Sequence, residues 1–134
     1  MLETVCNWAM HKRWLALSAE ERALIAACAA ANGARCDLPA ALTGLADPAR
    51  LHAAICWGLA IRLCRRLGGR SRMSLQASRL RTEEGLLVLE LEHARGDLYG
   101  LPTEKDLAAL AARLGLKPKL RLVPDATISA VEAP

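Results

Sequence analysis

The stretch Met73-Ser74-Leu75-Gln76-Ala77-Ser78-Arg79-Leu80-Arg81-Thr82-Glu83-Glu84-Gly85-Leu86-Leu87-Val88-Leu89-Glu90-Leu91-Glu92 decides the fold class. Met73, Leu75 and Ala77 alternate with Ser74, Gln76 and Ser78. After Thr82-Glu83-Glu84-Gly85, Leu87, Leu89 and Leu91 alternate with Val88, Glu90 and Glu92. A period of two places successive side chains on opposite faces of an extended chain, and Glu-Gly between two such runs is turn chemistry. The reading is a β-hairpin.

The sequence on the N-terminal side of the hairpin is helical. Leu2, Val5, Cys6 and Ala9 recur at helical spacing over residues 2–13. Ser18-x-x-Glu21 is a capping box, in which the hydroxyl accepts from the Glu21 amide and the carboxylate accepts from the Ser18 amide. The helix it opens runs to Ala31 and stops at Asn32-Gly33, with Leu24, Ile25, Cys28 and Ala29 as its apolar stripe. Asp37–Leu45 is a short connector with room for one helical turn. Asp47-Pro48 starts a long helix, with Asp as cap and Pro at the first helical position. Leu51, Ile55, Leu59, Leu63 and Leu67 advance by four along its buried face, and Gly68-Gly69 ends it.

After the hairpin, residues 95–102 form a loop, Thr103 caps a helix to Leu114, and Leu116–Val123 is a strand. Pro118 assigns that strand to a sheet edge, because proline cannot donate to the ladder. The whole is α+β: a helical part over 1–69, a small β-β-α-β unit over 70–124 and a flexible tail over 125–134.

Composition narrows the function. Hydrophobic residues make up 53%, enough for a core, but aromatics only 3%, with three Trp, one Tyr and no Phe. Single-stranded nucleic-acid platforms stack bases on aromatic rings, so this scarcity counts against one. The five cysteines are odd in number and form no CxxC pair, which fits a reducing cytoplasm and matches no standard zinc spacing. The longest apolar run, Ala23–Ala31, is too short to span a bilayer, and the N-terminus has no signal-peptide pattern. No membrane partner is expected.

The net charge of +4 leans towards an anionic partner, and its centre is the segment from Arg62 to Thr82. Seven arginines lie there (Arg62, Arg65, Arg66, Arg70, Arg72, Arg79 and Arg81) with no Asp, Glu or Lys before Glu83. The guanidinium is a planar fork of donors that suits phosphate and stays charged near neutral pH. The competing reading for Arg62, Arg65 and Arg66 is a solvated face at a helix C-terminus, where the dipole favours cations and disfavours a bound phosphate. Arg70 and Arg72 lie beyond the glycines, and Arg79 and Arg81 extend the patch along a strand.

Other candidate groups are weaker. His11, His52 and His93 lie far apart, and none has a carboxylate at ligand spacing. Glu20-Glu21 suits the first turn of a helix, Glu83-Glu84 a turn, and Glu90 and Glu92 an ordinary solvated strand face. Ser71, Ser74 and Ser78 have no nearby His/Asp arrangement. No complete catalytic constellation is present, so the sequence leaves open whether the chain belongs to an enzyme.

The element order and three segments resemble the C-terminal region of the exopolyphosphatase / guanosine pentaphosphate phosphohydrolase family. The segments are Leu17-Ser18-Ala19-Glu20-Glu21-Arg22-Ala23-Leu24-Ile25-Ala26, the helix Leu51–Leu67 with Gly58-Leu59-Ala60-Ile61-Arg62-Leu63, and the hairpin Leu80–Leu91 with the strand Lys119–Val123. Members of that family place an actin-like phosphatase unit, with its divalent metal, before this region. The resemblance implies that residues 1–69 are the end of an HD-like helical module, although the chain has no His-Asp dipeptide. It further implies a cytoplasmic, non-catalytic domain with no cofactor of its own. Such a domain would aid binding of inorganic polyphosphate or another phosphate-rich anion, form a homodimer, or pack on the catalytic domain. Whether Met1 is the natural start stays open. The alternatives are a pure dimerisation or regulatory module, which Trp8 and Trp14 favour as interface anchors, and an RNA-binding domain.

Overall fold

The computed structural model describes residues 2–12, 16–69 and 71–131. The fold is α+β: helices with a small three-stranded mixed sheet. The chain forms two compact units, residues 1–62 and 63–134, and their boundary lies inside one long helix.

The first unit holds α1 (Leu2–His11), α2 (Ala19–Asn32), α3 (Ala40–Thr43) and most of α4 (Pro48–Gly68). The capping box at Ser18 is formed: Glu21 N donates to Ser18 Oγ at 3.1 Å, and Ser18 N donates to the Glu21 carboxylate at 2.7 Å. Asp47 caps α4 through the amides of Ala49 and Arg50, at 2.9 and 3.2 Å. Leu51, Ile55, Leu59, Leu63 and Leu67 are all buried, as their spacing predicts.

The stripe expected on α2 is rotated. Ala23, Ala26, Ala27, Ala30 and Ala31 are buried, while Ile25 is exposed and Leu24 and Cys28 are half-buried. The reason lies on α4 at Gly58. A Cβ there would collide with the Cys28 carbonyl oxygen, and it would lie 2.7 Å from Ala31 Cβ and 3.0 Å from Asn32 N. Two helices meet backbone to backbone at that point, and only the smallest side chains fit between them.

The second unit holds the end of α4, then α5 (Arg72–Gln76), β1 (Ser78–Glu83), β2 (Leu86–Glu92), a 3₁₀ helix (His93–Leu98), α6 (Leu101–Arg113) and β3 (Lys117–Val123). Glu84 and Gly85 both have positive φ, at 40° and 80°, which gives the two-residue turn that matches the twist of a hairpin. β2 is central: it pairs antiparallel with β1 (Arg79 opposite Glu90) and parallel with β3 (Glu90 opposite Arg121). The expected β-β-α-β order is present, and β3 is an edge strand, as Pro118 requires.

Other sequence expectations for this unit need correction. Residues 72–76 are a helical turn and not the start of a strand, because the Ser71 hydroxyl accepts from Met73 N at 3.2 Å and caps it. Helix α6 begins at Leu101, before Thr103. Thr103 is buried and its hydroxyl donates to Leu98 O at 2.7 Å, so it is not a cap.

The segment after β3 is also not loose as far as residue 131. Ile128 is buried, and Glu92 Oε1 accepts from Ile128 N, Ser129 N and Ser129 Oγ at 2.9, 2.8 and 2.9 Å. These bonds, with that from Ser129 N foremost, hold the Glu92 carboxyl below its ordinary range. Glu90 and Glu92 are therefore not a solvated face; they are only 3% and 6% exposed.

Candidate functional site

The structure distributes the arginines of the 62–81 segment over separate places. In the first unit, Arg62 Nη1 donates to Asn32 O at 3.1 Å and so caps the carbonyl end of α2. In the second unit, Arg65 and Arg66 form the last turn of α4. Arg72 is exposed at the start of α5, and Arg79 and Arg81 lie on β1. Arg70 lies outside the described residues, as does Trp14.

Arg65 and Arg66 reach a cleft of about 490 Å³ in the second unit. Leu67, Gly69, Ser74, Asp97, Leu98, Gly100, Pro102 and Thr103 complete its lining. The N-terminus of α6 contributes to that lining; Gly100 occupies its cap position and no side chain caps the helix. Helix starts carry unpaired amides and the positive end of the dipole, which attract anions. Pro102 removes one amide, which narrows what this end can offer. Arg66 Nε donates to Asp106 Oδ2 at 2.9 Å, and Asp106 is buried. That pair fixes the Arg66 side chain against α6 and offsets part of its charge. Asp97, on the 3₁₀ helix, adds a negative charge to the rim.

The outer face of the sheet is a second charged site. Directly opposed residues share a face, so Arg79, Arg81 and Glu83 on β1 line up with Glu90, Val88 and Leu86 on β2 and with Arg121, Lys119 and Lys117 on β3. Arg79 Nε donates to Glu90 Oε2 at 2.8 Å, and Arg121 Nη1 donates to Glu90 Oε1 at 3.0 Å. Arg121 Nη2 also donates to Glu83 Oε2 at 2.7 Å. Arg81 is looser, 3.9 Å from Glu83 and 3.8 Å from Glu90.

The electrostatics of this face follow from the geometry. Burial pushes the Glu90 carboxyl up, but the bonds from Arg79 and Arg121 outweigh it and leave the group below its ordinary range. Glu83 is lowered chiefly by its bond from Arg121. Arg121 is raised in turn, by Glu83 first and Glu90 second. Arg79 and Arg121 are thus spent largely on a buried carboxylate. The sequence reading missed the part played by Lys117, Lys119 and Arg121. Their alternation was visible, but their place beside β2 comes from a parallel pairing that no local pattern announces.

His11, His52 and His93 lie on α1, α4 and the 3₁₀ helix, and His52 Nε2 is 3.6 Å from Cys56 Sγ. Cys28, Cys36, Cys56 and Cys64 are not in disulfides, and burial raises the Cys28 pKa. Among the described residues, no group of three or more His, Cys, Asp or Glu is arranged to hold a metal ion. No helix among them is long and apolar enough to cross a membrane. Compared with protein-family models and with curated proteins, the chain matches none.

Proposed function

We propose that this chain is a non-catalytic domain that binds a phosphate-rich anion, inorganic polyphosphate being the first candidate, in support of a phosphohydrolase unit of the exopolyphosphatase kind. The carrying observation is the cleft in which Arg65 and Arg66 face the uncapped start of α6. A terminal phosphate there meets guanidinium donors on one side and helix amides on the other. Arg72, exposed at the start of α5, adds charge to the same unit. Hydrolysis, and the divalent metal it needs, belong to the catalytic unit of that reading.

Calorimetric titration with medium-chain polyphosphate, at low and high salt, tests the proposal. Binding should weaken steeply with salt as condensed counterions are released, and Arg65→Ala should weaken it at least about ten-fold. Absence of binding at low salt, or an unchanged affinity in Arg65→Ala, refutes the cleft as the site.

A second reading rests on the exposed tryptophans. Trp57 is 68% exposed and Trp8 48%, and large exposed aromatic rings are common interface anchors. If the domain works chiefly as a dimerisation module, sedimentation gives a dimer that salt does not dissociate and that Trp57→Ser abolishes.

A further inference from the structure

The first unit holds a cavity that the cleft of the second unit does not explain. Its volume is about 420 Å³, within the range of about 300–1,000 Å³ usual for small-molecule sites. Met10 on α1, Ala30 on α2, Leu38 on the segment between α2 and α3, and Leu42 on α3 supply apolar wall, and Ala30 and Leu42 are buried. Four polar residues share the lining. Asn7 and His11 lie one turn apart on α1, and Arg35 and Asp37 lie two residues apart on the segment that holds Leu38. The backbone of Arg35 is fixed: its N–H donates to Ala30 O at 2.9 Å, across a turn in which Ala34 takes φ 65°. Glycine usually supplies that left-handed conformation, and the turn ties Arg35 to the end of α2.

The charges at this cavity decide which molecule it fits. Among the described residues, Arg35 and Asp37 form no ion pair and no side-chain hydrogen bond, either with each other or with a third group. Both charges are therefore available to a molecule in the cavity. Their Cα atoms are at most about 7 Å apart, so one small molecule can reach both. A simple anion would gain Arg35 and meet Asp37, and a simple cation the reverse. A polyanion finds no net attraction in one cation set beside one anion. A wholly apolar guest would strip water from both charges and give nothing back. What matches every part of the lining is a small zwitterion with an apolar body. An α-amino acid carries its ammonium and carboxylate on one carbon, and the apolar wall calls for a large side chain. The Asn7 amide suits both charges, since it donates through its nitrogen and accepts through its oxygen. We infer that this cavity binds a free α-amino acid with a large apolar side chain. Arg35 takes the carboxylate, Asp37 takes the ammonium, and Met10, Leu38 and Leu42 cover the side chain. The cavity lies wholly in the first unit, and its role does not depend on the polyphosphate reading.

The test is isothermal titration calorimetry of the full chain with L-leucine, L-methionine and L-phenylalanine at millimolar concentrations. The controls are glycine, isocaproate (leucine without its ammonium) and leucinamide (leucine without its carboxylate charge). At least one of the large amino acids should bind. Glycine and both singly charged analogues should bind at least about ten-fold more weakly, since each lacks either the apolar contact or a charge-assisted hydrogen bond. Arg35→Gln and Asp37→Asn should each weaken the amino acid about ten-fold. Arg35→Gln should also erase the preference for leucine over leucinamide, and Asp37→Asn the preference over isocaproate, a pattern that a merely structural effect does not produce. Both residues are exposed, so circular dichroism should be unchanged in the variants. The inference is overturned if none of the three large amino acids binds, if glycine or a singly charged analogue binds as tightly as leucine, or if the two variants keep wild-type affinity and preference.

Discussion

Replacing Gly58 by alanine adds one methyl group at the closest point between α2 and α4. In an open helix this change is favourable by about 1 kcal/mol, because alanine loses less backbone entropy than glycine. Here the methyl would overlap the Cys28 carbonyl oxygen and lie 2.7 Å from Ala31 Cβ and 3.0 Å from Asn32 N. Carbon atoms in good contact are about 3.5–4.0 Å apart, so the helices must separate by about 1 Å. All three neighbours are backbone or Cβ atoms, and none can rotate away. Overpacking of this kind costs about 1–3 kcal/mol, and the fixed neighbours argue for the upper end. After the propensity gain, the expected loss is about 2 kcal/mol.

The chain supplies its own reporter for this loss. All three tryptophans lie within residues 1–62, and the single tyrosine, Tyr99, lies in the second unit. Urea titration followed by tryptophan emission therefore reads the first unit. With a denaturant slope of about 1–2 kcal/mol/M, the midpoint should fall by about 1–2 M. Gly44→Ala is the control: an added Cβ there meets only Ala40 O at 3.5 Å, and φ is −75°, so the midpoint should hold or rise slightly. A Gly58→Ala protein as stable as the wild type would refute the close approach of α2 and α4.

Two further outcomes are expected. Ser18→Ala removes one arm of the capping box and should lower the stability of the first unit by about 1 kcal/mol, read by the same tryptophan signal; no shift would mean that the box contributes nothing. In the second unit, Glu83, Glu90 and Glu92 all have carboxyl pKa values depressed from the ordinary 4.5. Depression means that the folded state releases the proton more readily than the unfolded chain does. The stabilisation is therefore complete above pH 4.5 and drains away as pH falls below it. Thermal melts at descending pH should show this acid limb, and Glu90→Gln should flatten it while lowering stability at neutral pH. An acid limb equally steep in Glu90→Gln would remove Glu90 from the account.

What was legible in the sequence was what local chemistry encodes. The run Leu51 to Leu67 shows its buried face because large and polar residues alternate around a helix. Ser18-x-x-Glu21 and Glu84-Gly85 show their cap and turn because the donors, acceptors and φ values involved lie within four residues. Helix α2 hid its face, since nearly every position from Ala23 to Ala31 is apolar and the period carries no phase. The choice of its alanine side is made at Gly58, on another helix. Residues 72–76 alternate like a strand, but five residues are too few to separate the two periods, and the Ser71 cap decides for the helix. Glu90 and Glu92 look solvated until their partners are known. Besides Arg79 on the neighbouring strand, those partners are Arg121 and Ser129, more than 30 residues further along the chain. The charged sites share this limit: Arg65 and Arg66 are conspicuous in sequence, but the α6 start that faces them and the β3 row that completes the outer face are assembled only by tertiary pairing.

The bonds from Ile128 and Ser129 to Glu92 bear on the order in which the chain is made. Ribosomes deliver residues from the N-terminus at roughly 5–20 per second, and domains tend to fold as they emerge. The first unit is built from residues 1–62, so it can close early. The central strand of the second unit cannot do so. β2 waits for β3 to cover one edge and for residue 129 to satisfy its last carboxylate. Throughout that interval it presents a run of leucines with an open edge, which is the form in which strands pair with the wrong neighbour. Slowing translation after Leu91, or stalling it before Ser129, should therefore lower soluble yield far more than a pause after Arg62.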